Sequence, residues 1–218
     1  MLTPPVSTVL DRLYADAAVT TAKLRQMFSS LTPEERRARM ADANADYRAF
    51  FHRAKDIHMP VSRHTGQLLY MLARATQAKG IVEFGTSFGL STVHLAAALR
   101  DNGGGRLVGS EFEPGKLAAA RANLAEAGLA GLCDIRDGDA VETLASDLPP
   151  TVEVLLLDGH KPLYPKVLEL VAPKLRAGSC IVADNADASP QYLAVVRAAG
   201  SGYLSMPFSE DVELTVKL

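Results

Sequence analysis

From residue 81 onward the chain alternates short apolar runs with helix-period segments, and this alternation limits its fold more than any other feature. Residues 81–84 read as a short buried strand, and 107–110, 133–136, 152–157 and 179–183 as further strands. Between them lie helical patterns at 90–100, from Pro114 to a stop at Gly128, and at 163–175, with a further helix opening at Ser189-Pro190. Asp101-Asn102-Gly103-Gly104-Gly105 is a turn. Residues 203–208 and 212–218 form two last strands around Ser209-Glu210-Asp211. Repeated strand–helix units predict a mostly parallel α/β sheet with helices on both faces, and the terminal hairpin predicts an antiparallel edge.

Residues 6–58 carry helical periodicity and no strand signal. Thr32-Pro33-Glu34-Glu35 opens a helix, with Thr32 as N-cap and Glu35 closing a capping box. Ser62 opens another, with an apolar face of Leu68, Leu69, Met71 and Leu72 and an end near Gly80. At 218 residues and 48% apolar, the chain suits one domain: a helical extension over 1–58 and an α/β core over 59–218. A net charge of -2 makes nucleic acid and membrane surfaces poor partners. Cys133 and Cys180 fit neither a disulfide framework nor a zinc site and read as small core residues. No run approaches a membrane span, and the N-terminus lacks a signal-peptide pattern, so a cytoplasmic location is expected.

In open parallel sheets ligands bind beyond the carboxyl ends of the strands. Five strand ends here carry glycine, acid or amide: Glu83 through Gly89, Glu111, Gly138-Asp139-Ala140, Asp158, and Asp184-Asn185. The first loop has Gly85 and Gly89, which let the backbone approach a ligand. It has Ser87 where a dinucleotide fingerprint wants glycine, which favours a ligand without phosphates, although the pair equally suits a plain tight turn. Glu111 is placed to accept both hydroxyl hydrogens of a ribose, or is a solvated strand-end acid. Asp139 could accept from an adenine amino group, or simply shape the turn.

Asp158, Asp184 and Asn185 end two strands that topology makes neighbours. Converging carboxylates repel unless one is protonated or a cation joins them. Two carboxylates and an amide oxygen suit Mg2+ with positions left for water or substrate, and no His or Cys cluster argues for zinc. The same residues also read as turn formers and a loop acid. Lys161 is by itself an ordinary surface charge; beside a cation it becomes a candidate general base. His160 is a candidate ring-stacking wall.

In this order and spacing, the residues resemble the catechol O-methyltransferase branch of the class I methyltransferases, from about Met59 to the C-terminus. Met59-Pro60-Val61 through Thr65-Gly66-Gln67 is similar to the segment over the methionine part of S-adenosylmethionine. The stretch Glu83-Phe84-Gly85 through Gly89-Leu90-Ser91, with Ser87 and Phe88 inside it, resembles the first motif, Ser91 lying near the cofactor carboxylate. Glu111-Phe112-Glu113-Pro114 resembles the ribose segment, and Gly138-Asp139-Ala140 the adenine-side turn. Asp158-Gly159-His160-Lys161 followed by Tyr164 resembles the metal-and-base motif, and Ala183-Asp184-Asn185 the second metal motif. Tyr192-Leu193-Ala194 through Val196-Arg197 also fits.

The resemblance implies a Rossmann-like, seven-stranded sheet with an antiparallel last strand, S-adenosylmethionine as methyl donor, and a divalent metal at Asp158, Asp184 and Asn185. It further implies Lys161 as base and a catechol-like or phenolic small molecule as acceptor. Adenine would pack on His160 and Phe112. Glu213 falls near the place of an acceptor-gripping glutamate but is offset by one residue, onto the other strand face. The helices before Met59 would cover the substrate or pair subunits into a homodimer. The rival readings are a nicotinamide-dependent oxidoreductase on a similar sheet and a non-catalytic binder of adenosyl ligands.

Overall fold

The computed structural model describes residues 2–29, 31–32, 34–35, 46–209 and 211–218. The expected N-terminus of a helix at Thr32 is present as a reciprocal pair: Thr32 N donates to Glu35 Oε2 at 2.7 Å and Glu35 N donates to Thr32 Oγ1 at 3.2 Å. Pro33 and Glu210 lie outside the described residues.

Ahead of the sheet the described residues include the helices α1 (Val6–Ser29), α2 (Tyr47–Arg53) and α3 (Arg63–Ala75). Ser62 caps α3 by accepting from Thr65 N at 3.0 Å. This helix stops at Ala75, with Thr76 as its C-cap, rather than near Gly80. Its buried side is Thr65, Gly66, Leu69 and Ala73. Met71, expected on the apolar face, is 64% exposed because the three-and-four spacing of that buried side passes it by.

The body then alternates: β1 (Gly80–Phe84), α4 (Leu90–Asp101), β2 (Arg106–Glu111), α5 (Pro114–Glu126), β3 (Cys133–Asp137), α6 (Ala140–Thr143), β4 (Val152–Leu157), α7 (Tyr164–Val171), β5 (Leu175–Ala183), α8 (Pro190–Val196), β6 (Tyr203–Pro207) and β7 (Glu213–Lys217). The seven strands lie in the order β3-β2-β1-β4-β5-β7-β6. The pairings from β3 to β5 are parallel, and β7 runs antiparallel to both β5 and β6. The helix expected over 163–175 ends at Val171; Ala172–Lys174 tightens into a 3-10 turn, since Pro173 cannot continue an α-helical ladder. Strand β5 begins four residues before the expected 179, joined to β4 through a register shift between Val152 and Val154.

The central strands β1 and β4 are buried throughout, and successive side chains enter opposite faces of the sheet. Ile81, Val154, Leu156 and Val182 pack with α1, α3, α4 and α5 on one face. Val82, Leu155, Leu157 and Ile181 pack with α7 and α8 on the other. Helix α4 is buried from Leu90 through Leu99, and small Ala96, Ala97 and Ala98 suit it to a crowded position between sheet and outer helices. Both cysteines are free, Cys180 buried and Cys133 partly so. Among the described residues no helix is long and apolar enough to cross a membrane.

Strand order reverses between β1 and β4, the point at which loops leaving adjacent strands part to opposite faces and leave a crevice. The ladder runs on past the strands into that crevice: Asp158 N donates to Phe84 O at 2.8 Å and Asp184 N to Leu157 O at 2.9 Å. Gly85, Asp158 and Asp184 therefore stand side by side.

Candidate active site

A cavity of about 610 Å3 opens over the ends of β1, β2, β4 and β5. It brings together Gly85, Ser87, Glu111, Phe112, Asp139, Ala140, Asp158, His160, Lys161, Asp184 and Asn185 from distant parts of the sequence, with Met59 at its edge. A smaller space beside it is lined by Val61, Phe88 and Ser91. Neither space is lined by Glu83 or Gly138.

Glu83 has another task. It is fully buried, and its Oε1 accepts from Ser91 Oγ at 2.6 Å while its Oε2 accepts from Thr92 Oγ1 at 2.6 Å and Thr86 Oγ1 at 2.9 Å. Burial pushes its carboxyl up to about 7 despite those hydrogen bonds. Glu83 thus ties the glycine loop to the start of α4 from beneath. Gly138 acts through its main chain, its N–H donating to Glu111 O at 3.1 Å.

Glu111 faces the cavity with its orientation set: Oε2 accepts from Ser87 N at 2.8 Å and Oε1 from Glu113 N at 2.9 Å. A carboxylate oxygen has a second lone pair, so each remains able to accept from a ligand hydroxyl. Asp139 caps α6 by accepting from Val141 N through Oδ1 at 2.9 Å. Its other oxygen accepts from Arg48 at 2.7 Å and from the Tyr47 hydroxyl. Burial would raise this carboxyl, but those donors outweigh it and hold Asp139 below the usual range.

At the other end of the cavity, Lys161 Nζ donates to Asp158 Oδ1 at 3.1 Å and to Tyr164 Oη at 2.8 Å. Tyr164 is fully buried and donates its own hydrogen to Asp184 O at 2.8 Å, so its oxygen is free to accept from the lysine. Asp158 and Asp184 lie within hydrogen-bonding reach of each other, and burial raises both, Asp184 to about 7 with the neighbouring Asp158 charge adding to the effect. Asn185 takes a left-handed backbone (φ 49°) and donates Nδ2 to Asp211 at 3.2 Å, which leaves its Oδ1 as an acceptor. Two partly buried, mutually repelling carboxyls beside an uncommitted amide oxygen are the donor set a hard cation fits. Among the described residues no group of three or more His, Cys, Asp or Glu could hold an ion, so such a cation would need Asn185 and oxygens from outside the protein.

The structure also supplies residues the sequence reasoning passed over. Tyr47, Phe50 and Phe51 from α2, together with His58, Lys116 and Asp211, line the same cavity. The spacing of Tyr47, Phe50 and Phe51 puts all three on one side of a helix turn, which was the available signal. Lys116 is 3% exposed, and its Nζ lies 5.5 Å from the centre of the Phe88 ring, whose face His58 stacks on at 3.7 Å. Glu213 is not in the cavity. It is 2% exposed, paired in a fork with Arg197 at 2.8 and 2.6 Å, and accepts from Ser205 Oγ at 2.6 Å.

Comparison with known proteins agrees with this geometry. A family profile described as a methyltransferase domain matches residues 82–186. A catechol O-methyltransferase of Niastella koreensis is 38% identical over 132 residues, covering 57% of each chain. One from Mycobacterium tuberculosis is 33% identical over 125 residues, 57% of this chain and 56% of that one. The aligned part thus spans little more than half the length of these two relatives. A protein of Mycolicibacterium smegmatis named as an O-methyltransferase is 30% identical over 174 residues, with 80% of its length covered. Among solved structures, the O-methyltransferase TomG of Streptomyces achromogenes, in complex with SAM, superposes with a TM-score of 0.64 at 26% identity, covering 76% of this chain and 85% of that one. The chain belongs to the class I O-methyltransferase family.

Proposed function

We propose that this protein transfers a methyl group from S-adenosylmethionine to a hydroxyl of a catechol-like or phenolic small molecule, with Lys161 as general base. The observation that carries this reading is the joining of Lys161, Asp158 and Asp184 at one end of a cavity whose other end holds Glu111 and Asp139. Glu111 accepts from the ribose hydroxyls, and Gly85 and the Val61–Ser91 side space hold the methionine part. Phe50, Phe51, Met59 and Leu163 give the cavity apolar walls suited to an aromatic acceptor.

A divalent cation, Mg2+ by its preference for oxygen, would be held by Asp158, Asp184 and Asn185 and would supply the charge that orients and acidifies adjacent acceptor oxygens. Lys161, fixed by Asp158 and Tyr164, takes the proton of the attacking hydroxyl. Most of the acceleration comes from holding that oxygen in line with an already activated methyl group.

The test is methyl transfer, followed by mass spectrometry, to a panel of catechols, single phenols and hydroxylated natural-product scaffolds, with EDTA and with Mg2+ restored. Metal-dependent methylation of adjacent hydroxyls is expected. Methylation undiminished by EDTA would remove the metal from the reading, and no binding of S-adenosylmethionine would remove the reading itself.

A further inference from the structure

Tyr47 stands where a flat ligand ring would stand. Its ring stacks on His160 with centres 4.5 Å apart and planes 10° from parallel. It meets Phe112 edge-on at 6.1 Å. Its hydroxyl donates to Oδ2 of Asp139, the oxygen that Arg48 also engages at 2.7 Å. A parallel ring on one side, an aromatic edge on another and a carboxylate accepting from the ring's polar rim are what a purine amine asks of a pocket. All three groups lie in the cavity with Glu111, the acid suited to ribose.

We infer that Tyr47 is an internal stand-in for the adenine ring, so that cofactor binding requires α2 to withdraw Tyr47 and Arg48 from His160 and Asp139. The inference rests on the proposed use of S-adenosylmethionine. Two features make the exchange feasible. None of the seven residues of α2 is buried, so no core contact is lost when it moves. Its attachment to the cavity runs through Tyr47, Arg48, Phe50, Phe51 and His52: Phe51 is edge-on to Phe112 at 6.2 Å and to His160 at 6.5 Å, and the exposed His52 has its Nδ1 3.7 Å from Glu113 Oε1. The Asp139 oxygen that receives two donors in this state becomes available only when they leave. Tyr47 would thus set cofactor affinity by competing for the adenine place, and the position of α2 would report whether the cofactor is present.

The experiment is calorimetric titration of S-adenosylhomocysteine into the full chain and into Tyr47→Ala and Tyr47→Phe. Losing one stacked ring and its hydroxyl contact should tighten binding to Tyr47→Ala by about five- to tenfold, with Tyr47→Phe between the two. Amide hydrogen exchange of residues 46–53 in the unmodified chain should speed up on saturation with the ligand. Unchanged or weaker binding to Tyr47→Ala, or slower exchange in 46–53, overturns the inference and makes Tyr47 a wall of the pocket. An unmodified chain that binds neither S-adenosylmethionine nor S-adenosylhomocysteine instead overturns the proposed function.

Discussion

Gly85 and Asp158 meet backbone to backbone at the switch point of the sheet: a Cβ on Gly85 would lie 2.3 Å from the Asp158 carbonyl oxygen. Gly85 also has φ +98°, outside the range that side chains favour. Space and conformation both demand glycine there. Gly85→Ala should cost about 1–3 kcal/mol of stability and push the Asp158 loop away from the glycine loop. Thermal unfolding and calorimetric titration with S-adenosylhomocysteine check both effects. A variant with unchanged stability and affinity would show that the contact is not close in solution.

Lys161 and the two aspartates lie at the opposite end from Glu111, so under the proposed function their variants should separate chemistry from cofactor binding. Lys161→Met should lower turnover by about 10²–10⁴-fold, the usual contribution of a general base, with cofactor affinity little changed. Asp184→Ala should abolish stimulation by Mg2+, while Glu111→Ala should weaken cofactor binding itself. Steady-state kinetics paired with calorimetry distinguish these outcomes. A Lys161→Met enzyme at full rate would exclude the lysine as base.

Glu213 and Arg197 form a structural pair, and their unequal exposure predicts unequal costs. Glu213 is 2% exposed, but the Arg197 side chain is 44% exposed. Glu213→Ala frees a guanidinium that water can reach, so the loss should be modest, about 1–2 kcal/mol. Arg197→Ala strands a buried carboxylate with Ser205 as its remaining donor and should cost more, about 3 kcal/mol. Burial would raise Glu213, yet Arg197 and Ser205 hold it below its ordinary value. This stabilisation is therefore present above the unfolded carboxylate range and is lost as pH falls through the lowered folded value. Denaturant titrations of both variants test the order of costs; the reverse order would refute the assignment.

Much of the site was legible because a parallel sheet turns sequence order into position. The carboxyl ends of β1 to β5 all lie at the same edge, so Gly85, Glu111, Asp158 and Asp184 could be grouped without knowing any distance. Residues whose role depends on what packs over them were harder to read. Glu83 looks like any strand-end acid, and only the hydroxyls of Thr86, Ser91 and Thr92 closing over it show that it supports the loop instead of facing a ligand. The spacing of Tyr47, Phe50 and Phe51 marks an aromatic side of a helix turn, but it does not say that the Tyr47 ring meets Asp139, more than 90 positions along the chain. Parity along β7 already set Glu213 on the other strand face, and it does not line the cavity, but its pairing with Arg197 required the fold.

His94 provides a last, independent test, because it lies away from the cavity between α4, α1 and α3. It is 3% exposed, its Nε2 is 3.3 Å from the Tyr14 hydroxyl, and its Nδ1 has no hydrogen-bond partner among the described residues. Burial, aided by the Arg63 charge, lowers its pKa to about 4. A histidine lowered in this way folds as the neutral ring, so the folded state is undisturbed above the unfolded value of about 6.5. As pH falls from there toward 4, the unfolded chain gains a proton that the folded chain resists, and stability declines by up to about 1.4 kcal/mol per pH unit. His94→Gln removes this titration while keeping a polar side chain beside Tyr14. The difference in unfolding free energy between variant and unmodified protein should therefore shift in the variant's favour between pH 6.5 and 4, read from urea titrations at each pH. Parallel pH profiles for the two proteins would mean that His94 takes up its proton in the fold as readily as in the unfolded chain, against the assignment of a neutral buried ring.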